Sequence, residues 1–194
     1  MDATNKIIVV ALGETCWEEK MAKFYNSESE IIEIGVCLLD PRRGTITRNK
    51  AILIKPEKSE VSPYCTRITT ITQYLLDKRG ILFKKACARL KSEYKTHQYI
   101  WASYGNHDFE ALGDQCKEQN IDFPLSQNHI DVRELFKRKK KLRKRPLMHE
   151  ALQILGLPLE GTYHRGVDDA RNIAKILYWC ISEKIMNEKR FWFL

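Results

Sequence analysis

The run Ile7-Ile8-Val9-Val10-Ala11-Leu12, apolar throughout and mostly β-branched, constrains the chain more than any other segment. A stretch this short, bounded by polar residues, predicts a strand buried in the core. Two further segments, Glu30 to Leu39 and Lys50 to Ile54, follow across polar, Gly- or Pro-containing connections, and the three together predict an antiparallel meander. After Pro63 the pattern turns helical, at Ile71 to Leu76 and then at Ile81 to Tyr94, where Leu82, Ala86 and Leu90 recur every four residues. Next come a strand at Gln98 to Ser103, a helix from about His107 to Gln119, and an extended piece at His129 to Ile130. A helix carrying a basic block and helices near Leu147 to Leu155 and Val167 to Ile185 complete the chain. Strands first, then helices alternating with single strands, is an α/β layout with a mixed sheet and helices on both faces. A length of 194 residues suits one such domain, spanning 1–194.

No run of apolar residues is long enough to cross a bilayer, and Met1 to Lys6 leads directly into the first strand without a signal-peptide layout. A cytoplasmic protein without membrane partners is expected. The cysteines, Cys16, Cys37, Cys65, Cys87, Cys116 and Cys180, are scattered singly and suggest neither a disulfide framework nor a zinc site. The net charge of +8 resides in the block from Lys137 to Arg145, since basic and acidic residues are otherwise equal in number. Such a block, with Lys139, Lys140 and Arg143 at its centre, can neutralise phosphates or remain solvated.

Three residues stand out for chemistry. Asp169 opens the last helix on the stripe of Ile173, Ile176, Leu177 and Cys180, so its carboxylate faces inward, as a helix-start cap or as a ligand. Asp108 repeats the situation at the start of the helix whose stripe continues through Leu112 and Cys116. His164, in the Gly-containing turn Gly161 to Gly166, lies close enough in sequence to reach a site beside Asp169, and a neutral imidazole can take a proton from water.

Five segments in order, with their spacing, resemble the DEDDh (RNase T-like) 3′-to-5′ exonucleases, in the branch that includes histone-mRNA 3′-end exonucleases. They are Val9 to Glu19, Glu30 to Gly35, Ser62 to Gln73, Trp101 to Asp108 and Gly161 to Asn172. The resemblance implies a ribonuclease H-like fold with a mixed five-stranded sheet flanked by helices. It also implies two Mg²⁺ or Mn²⁺ ions held by a carboxylate cluster, and single-stranded RNA or DNA, RNA preferred, hydrolysed from its 3′ end. The family's third acidic residue falls on Asp108, its general-base histidine on His164 and its last acidic residue on Asp169, the three residues already singled out.

The first motif of the family reads Asp-x-Glu, and here Ala11 and Gly13 occupy those positions. Strand alternation puts both on one face and Glu14 on the other, unless a slip at Gly13 brings Glu14 round. Losing two ligand carboxylates implies a chain close to inactive, either through substitution or decay of a nuclease or as a pseudo-enzyme kept for binding nucleic acid. A protein-interaction domain that keeps the fold alone would leave Asp108, His164 and Asp169 together without a reason. For substrate, the resemblance implies a terminal nucleotide packed near Leu12 and the Ile68-Thr69-Thr70-Ile71 turn, while Trp17 and Tyr104 are candidate stacking surfaces beside ordinary packing roles.

Overall fold

The computed structural model describes residues 6–18 and 29–191, with side chains through residue 182. Met1 to Asn5, and Glu19 of the first motif, lie outside the described residues. The strands are β1 (Ile7–Glu14), β2 (Ile31–Leu39), β3 (Ile46–Leu53), β4 (Trp101–Ser103) and β5 (His129–Asp131), in the sheet order β3-β2-β1-β4-β5. The first three form an antiparallel meander, and β4 and β5 add in parallel beside β1. The helices are α1 (Pro63–Thr69), α2 (Gln73–Arg79), α3 (Phe83–Tyr94), α4 (His107–Glu118), α5 (Val132–Lys140), α6 (Met148–Ile154) and α7 (Gly166–Phe191).

β1 is buried on both faces, and its period of two divides the core. Ile8 and Val10 turn toward α3 and α4, among Phe83, Leu90, Trp101 and Leu112. Val9 and Ala11 turn toward α5, α6 and α7, among Phe136, Leu152, Ile173 and Leu177. Each large side chain so enclosed contributes about 1.5–3 kcal/mol, and the two clusters clamp the central strand from either side. No helix among the described residues is long and apolar enough to cross a membrane.

Several boundaries differ from the sequence reading for identifiable reasons. β3 begins at Ile46 rather than Lys50, because an edge strand keeps a face in water and needs no apolar alternation; Ile54 instead bridges to Ile81. A short helix, α1, precedes the expected one. Ser62 Oγ accepts the Cys65 N–H at 2.9 Å, Pro63 supplies the first turn, and Thr70, at φ 61°, ends it in the left-handed region. Ile71 therefore lies between two helices, wholly buried, and Thr72 opens α2 by capping Leu75. β4 starts only at Trp101. The basic block is split, since α5 stops at Lys140 and Lys141 takes φ 54°.

Candidate active-site cleft

The position of the cleft follows from one close backbone contact. Ala11 pairs with Gly35 across β1 and β2, and a Cβ at Gly35 would fall 1.8 Å from the Gly166 carbonyl oxygen. Only bare backbone allows α7 to begin against the sheet at this point. The first turn of α7, with Asp168 and Asp169, is thereby seated beside the end of β1. Asp108, in the first turn of α4, reaches the same strand, where its Oδ1 accepts the Leu12 N–H at 3.3 Å. Between these elements lies a cleft of about 280 Å³ whose lining includes Leu12, Gly13, Ile68, Thr69, His164 and Asp169.

The electrostatics of the aspartates follow from their desolvation. Burial raises the Asp108 carboxyl to about 7, while the Leu12 N–H and the His107 charge oppose the rise. Burial also raises Asp169 to about 7; the His164 backbone N–H opposes the rise, and the nearby Asp108 adds to it. Asp169 Oδ1 is buried without a hydrogen-bond partner. His164 sits at the rim with φ 70°, its ring 3.9 Å from that of Tyr163. Desolvation, helped by the charge of His149, lowers its pKa, so the imidazole is neutral at pH 7 and able to accept a proton.

Glu14 departs from the expected opposite face. The β1–β2 register shifts between Gly13 and Glu14, where Glu14 pairs with Ile31 and Ile32 is passed over, and the shift turns Glu14 into the cleft lining. Its carboxylate is engaged there by His107 Nε2 at 2.8 Å and by the Ser29 hydroxyl at 3.1 Å. The hydrogen bond to Glu14 raises His107 to about 9, so the pair is ionic at neutral pH. An orphaned, buried Asp169 oxygen facing a second desolvated carboxylate suits a cation. Ala11 and Gly13 add no donor, however, and among the described residues no group of three or more His, Cys, Asp or Glu is arranged to hold a metal ion. The residues present therefore do not fit a two-ion centre.

Of the remaining sequence candidates, Ile71 belongs to a small core with Cys65 and Leu76 and is not a cleft residue. Tyr104 packs against the α7 side of the core, and its hydroxyl donates to the Pro146 and Leu147 carbonyls. Trp17 is half-buried on the segment leaving β1, outside the lining. Lys139, Lys140 and Arg143 are not among the lining residues either; Lys140 Nζ lies 4.5 Å over the Trp179 ring. Glu134 holds Lys137, Arg138 and Arg145 of the same block.

Sequence reasoning missed the device that fixes the His164 loop. Glu33 is fully buried, its carboxylate receives Arg165 at two oxygens at 3.1 Å each, and it also accepts the Gly166 N–H at 2.7 Å. Arg165 further donates to the Thr70 hydroxyl at 3.1 Å, joining the histidine loop to the α1 wall. A charged residue in the middle of the apolar run Glu30 to Leu39 was the available signal.

The sheet order, the helices on both faces and the carboxylates at the end of the central strand define a ribonuclease H-like nuclease fold. A family model described as Exonuclease (RNase_T) matches residues 18–177, a span that begins after Ala11 and Gly13. The chain belongs to this exonuclease family. Among similar proteins, the 3'-5' exonuclease Snipper of Drosophila melanogaster is 28% identical, over 91% of this chain and 69% of its own length. The 3'-5' exoribonuclease 1 of Rattus norvegicus is also 28% identical, over 88% of this chain, which spans 51% of that protein. The crystallographic nuclease domain of 3'hExo, a DEDDh family member bound to rAMP, aligns with TM-score 0.82 and 24% identity, covering 94% of each chain. Exonuclease I of E. coli in complex with a dT13 oligonucleotide aligns with TM-score 0.70 and 12% identity, covering 95% of this chain and 43% of the other.

Proposed function

We propose that this chain binds the 3′ end of single-stranded RNA or DNA in the cleft between β1, α1 and α7, with hydrolysis impaired. The observation that carries the proposal is His164 and Asp169 in the lining of one cleft, with Asp108 on the Leu12 N–H beside it and Ala11 and Gly13 on the same strand. In the full family site, carboxylates at positions 11 and 13 would complete a centre for two Mg²⁺ or Mn²⁺ ions. His164, neutral and at the rim, is placed to remove a proton from attacking water. Leu12, Ile68 and Thr69 offer apolar and hydroxyl surface for the terminal nucleotide. RNA is the preferred substrate class, because the similar proteins include exoribonucleases.

The same observation favours a second reading, a nucleic-acid-binding module without catalysis. Binding and cleavage are measured separately, and restoring carboxylates at positions 11 and 13 separates the two readings. Labelled oligonucleotides with 3′-hydroxyl ends are titrated in EDTA by fluorescence anisotropy, then incubated with Mn²⁺ and resolved by length. Binding without shortening is expected. Efficient trimming would refute the impairment, and absence of binding to any RNA or DNA would refute the whole proposal.

A further inference from the structure

Cys16 and Cys65, distant in sequence, meet in the wall of the cleft. Cys16 follows β1, is half-buried, and shares the lining with Ile68 and Thr69. Cys65 lies in α1, wholly buried, in the small core against which Cys16 packs. Ser62 ties the two backbones together: its hydroxyl donates to the Cys16 carbonyl at 2.6 Å and accepts the Cys65 N–H at 2.9 Å. Cys65 Sγ lies 3.5 Å from the Glu14 carbonyl oxygen, one residue before Thr15 and two before Cys16.

We propose that Cys16 and Cys65 are a reversible disulfide site that fastens the end of β1 to α1 across the cleft wall. The neighbouring thiols also prepare the pair chemically. The Cys16 thiol lowers Cys65 to about 7 against the effect of burial, with help from the Cys16 N–H and the Thr69 hydroxyl. Cys16 is raised in turn, chiefly by Cys65. The pair thus holds a thiolate near neutral pH, resting on Cys65.

The oxidant is a hydroperoxide entering by the cleft, where Cys16 is the accessible sulfur. The Cys65 thiolate takes the Cys16 proton as the Cys16 sulfur attacks one peroxide oxygen and the O–O bond breaks. The departing oxygen takes up a proton and leaves as water, and Cys16 becomes a sulfenic acid. Cys65 sulfur then attacks Cys16 sulfur; the S–S bond forms, the S–O bond breaks, and hydroxide leaves as water with the Cys65 proton. For hydrogen peroxide, two thiols and one peroxide give one disulfide and two waters. An S–S bond of about 2.05 Å is shorter than any hydrogen-bonded sulfur contact, so oxidation draws α1 toward the end of β1 and narrows the cleft beside Thr69.

The test treats the full chain with hydrogen peroxide, blocks remaining thiols by alkylation and maps peptides without reduction. A Cys16–Cys65 linked peptide is expected, lost on adding dithiothreitol and absent from Cys16→Ser and from Cys65→Ser. Cys87 and Cys116, which shift each other's pKa in the same way but are each only 2% exposed, are expected to remain unlinked thiols. Oxidation of Cys16 to a sulfinate without joining Cys65, or a link confined to Cys87 and Cys116, would overturn the proposal. The effect on nucleic acid rests on the function proposed above: the oxidised protein should bind a single-stranded oligonucleotide several-fold more weakly than the reduced one. A link that forms without changing that affinity refutes the narrowing of the cleft. Reduced protein that binds no oligonucleotide refutes the proposed function and leaves the linked peptide as evidence for the disulfide site.

Discussion

Replacing Asp169 by asparagine should change stability in the variant's favour as pH rises, and make it the more stable protein above neutrality. Burial raises the Asp169 carboxyl from 3.8 to about 7 in the folded chain. Its folded pKa thus exceeds its unfolded one, and between these values the native state holds a proton that the unfolded state has released. Stability contributed by the neutral carboxyl is complete below the unfolded pKa and is lost as pH climbs through about 7. A difference of that size corresponds to about 4 kcal/mol for an isolated group. Asparagine keeps the shape and an oxygen for the His164 N–H, but its amide inherits the position where Asp169 Oδ1 has no partner. Leaving an amide unpaired costs about 1–3 kcal/mol, so Asp169→Asn should be near neutral or slightly destabilising around pH 4 and stabilising by about 1–3 kcal/mol around pH 8.5. Urea unfolding in EDTA across that range measures the difference directly. A difference independent of pH, or one that favours the parent more at high pH than at low, would refute the desolvation argument.

Removing Arg165 strands the wholly buried Glu33 carboxylate, so Arg165→Ala should lose about 3–5 kcal/mol in chemical denaturation, and an unchanged midpoint would show that the pair is dispensable. EDTA should leave the melting temperature of the parent chain nearly unchanged, because among the described residues no group of three or more His, Cys, Asp or Glu is arranged to hold an ion; a fall of more than a few degrees would reveal a bound metal. Changing Lys139, Lys140, Lys141 and Arg143 together to Gln should weaken binding to all oligonucleotides alike and flatten its salt dependence, since backbone contacts release counterions without reading bases. An unaltered salt slope would assign those residues to solvent and to packing, as Lys140 over Trp179 already suggests for one of them.

Patterning revealed the central elements because their burial is regular. β1 and β2 are apolar along their lengths, and the stripe from Asp169 through Ile173 to Cys180 keeps one face of α7 inward. Asp108 and Asp169 stood out for the same reason, as polar residues where a core face begins, and His164 by its place in the turn just before Asp169. The polar first half of the edge strand β3 and the short α1 escaped because neither needs an apolar period; the cap at Ser62 and Pro63 defines α1 more clearly than its hydrophobicity does. The turning of Glu14 into the cleft depends on a register shift against β2, a relation between two strands that alternation within one cannot express. Tertiary approach likewise creates the Cys16–Cys65 and Glu33–Arg165 pairs, whose members are separated by long stretches of chain.

The most direct measurement introduces the missing carboxylates. A Cβ at Gly13 would lie 3.4 Å from Glu33 Cβ and 3.8 Å from Glu33 Oε2, ordinary contact distances, so a side chain can be accommodated there. Ala11 is only 4% exposed, and a carboxylate in its place joins the desolvated Asp108 and Asp169. The double variant Ala11→Asp, Gly13→Glu should therefore be less stable than the parent in EDTA and regain stability with Mn²⁺. It should also shorten 3′-hydroxyl RNA in a metal-dependent reaction, with either single change giving far less. Adding His164→Ala should slow that reaction on the order of 10² to 10⁴-fold while leaving oligonucleotide binding largely intact. Metal-dependent trimming by the double variant beside an inert parent is the expected result; a double variant that binds Mn²⁺ yet leaves RNA and DNA uncut at every pH would contradict the exonuclease reading of the cleft.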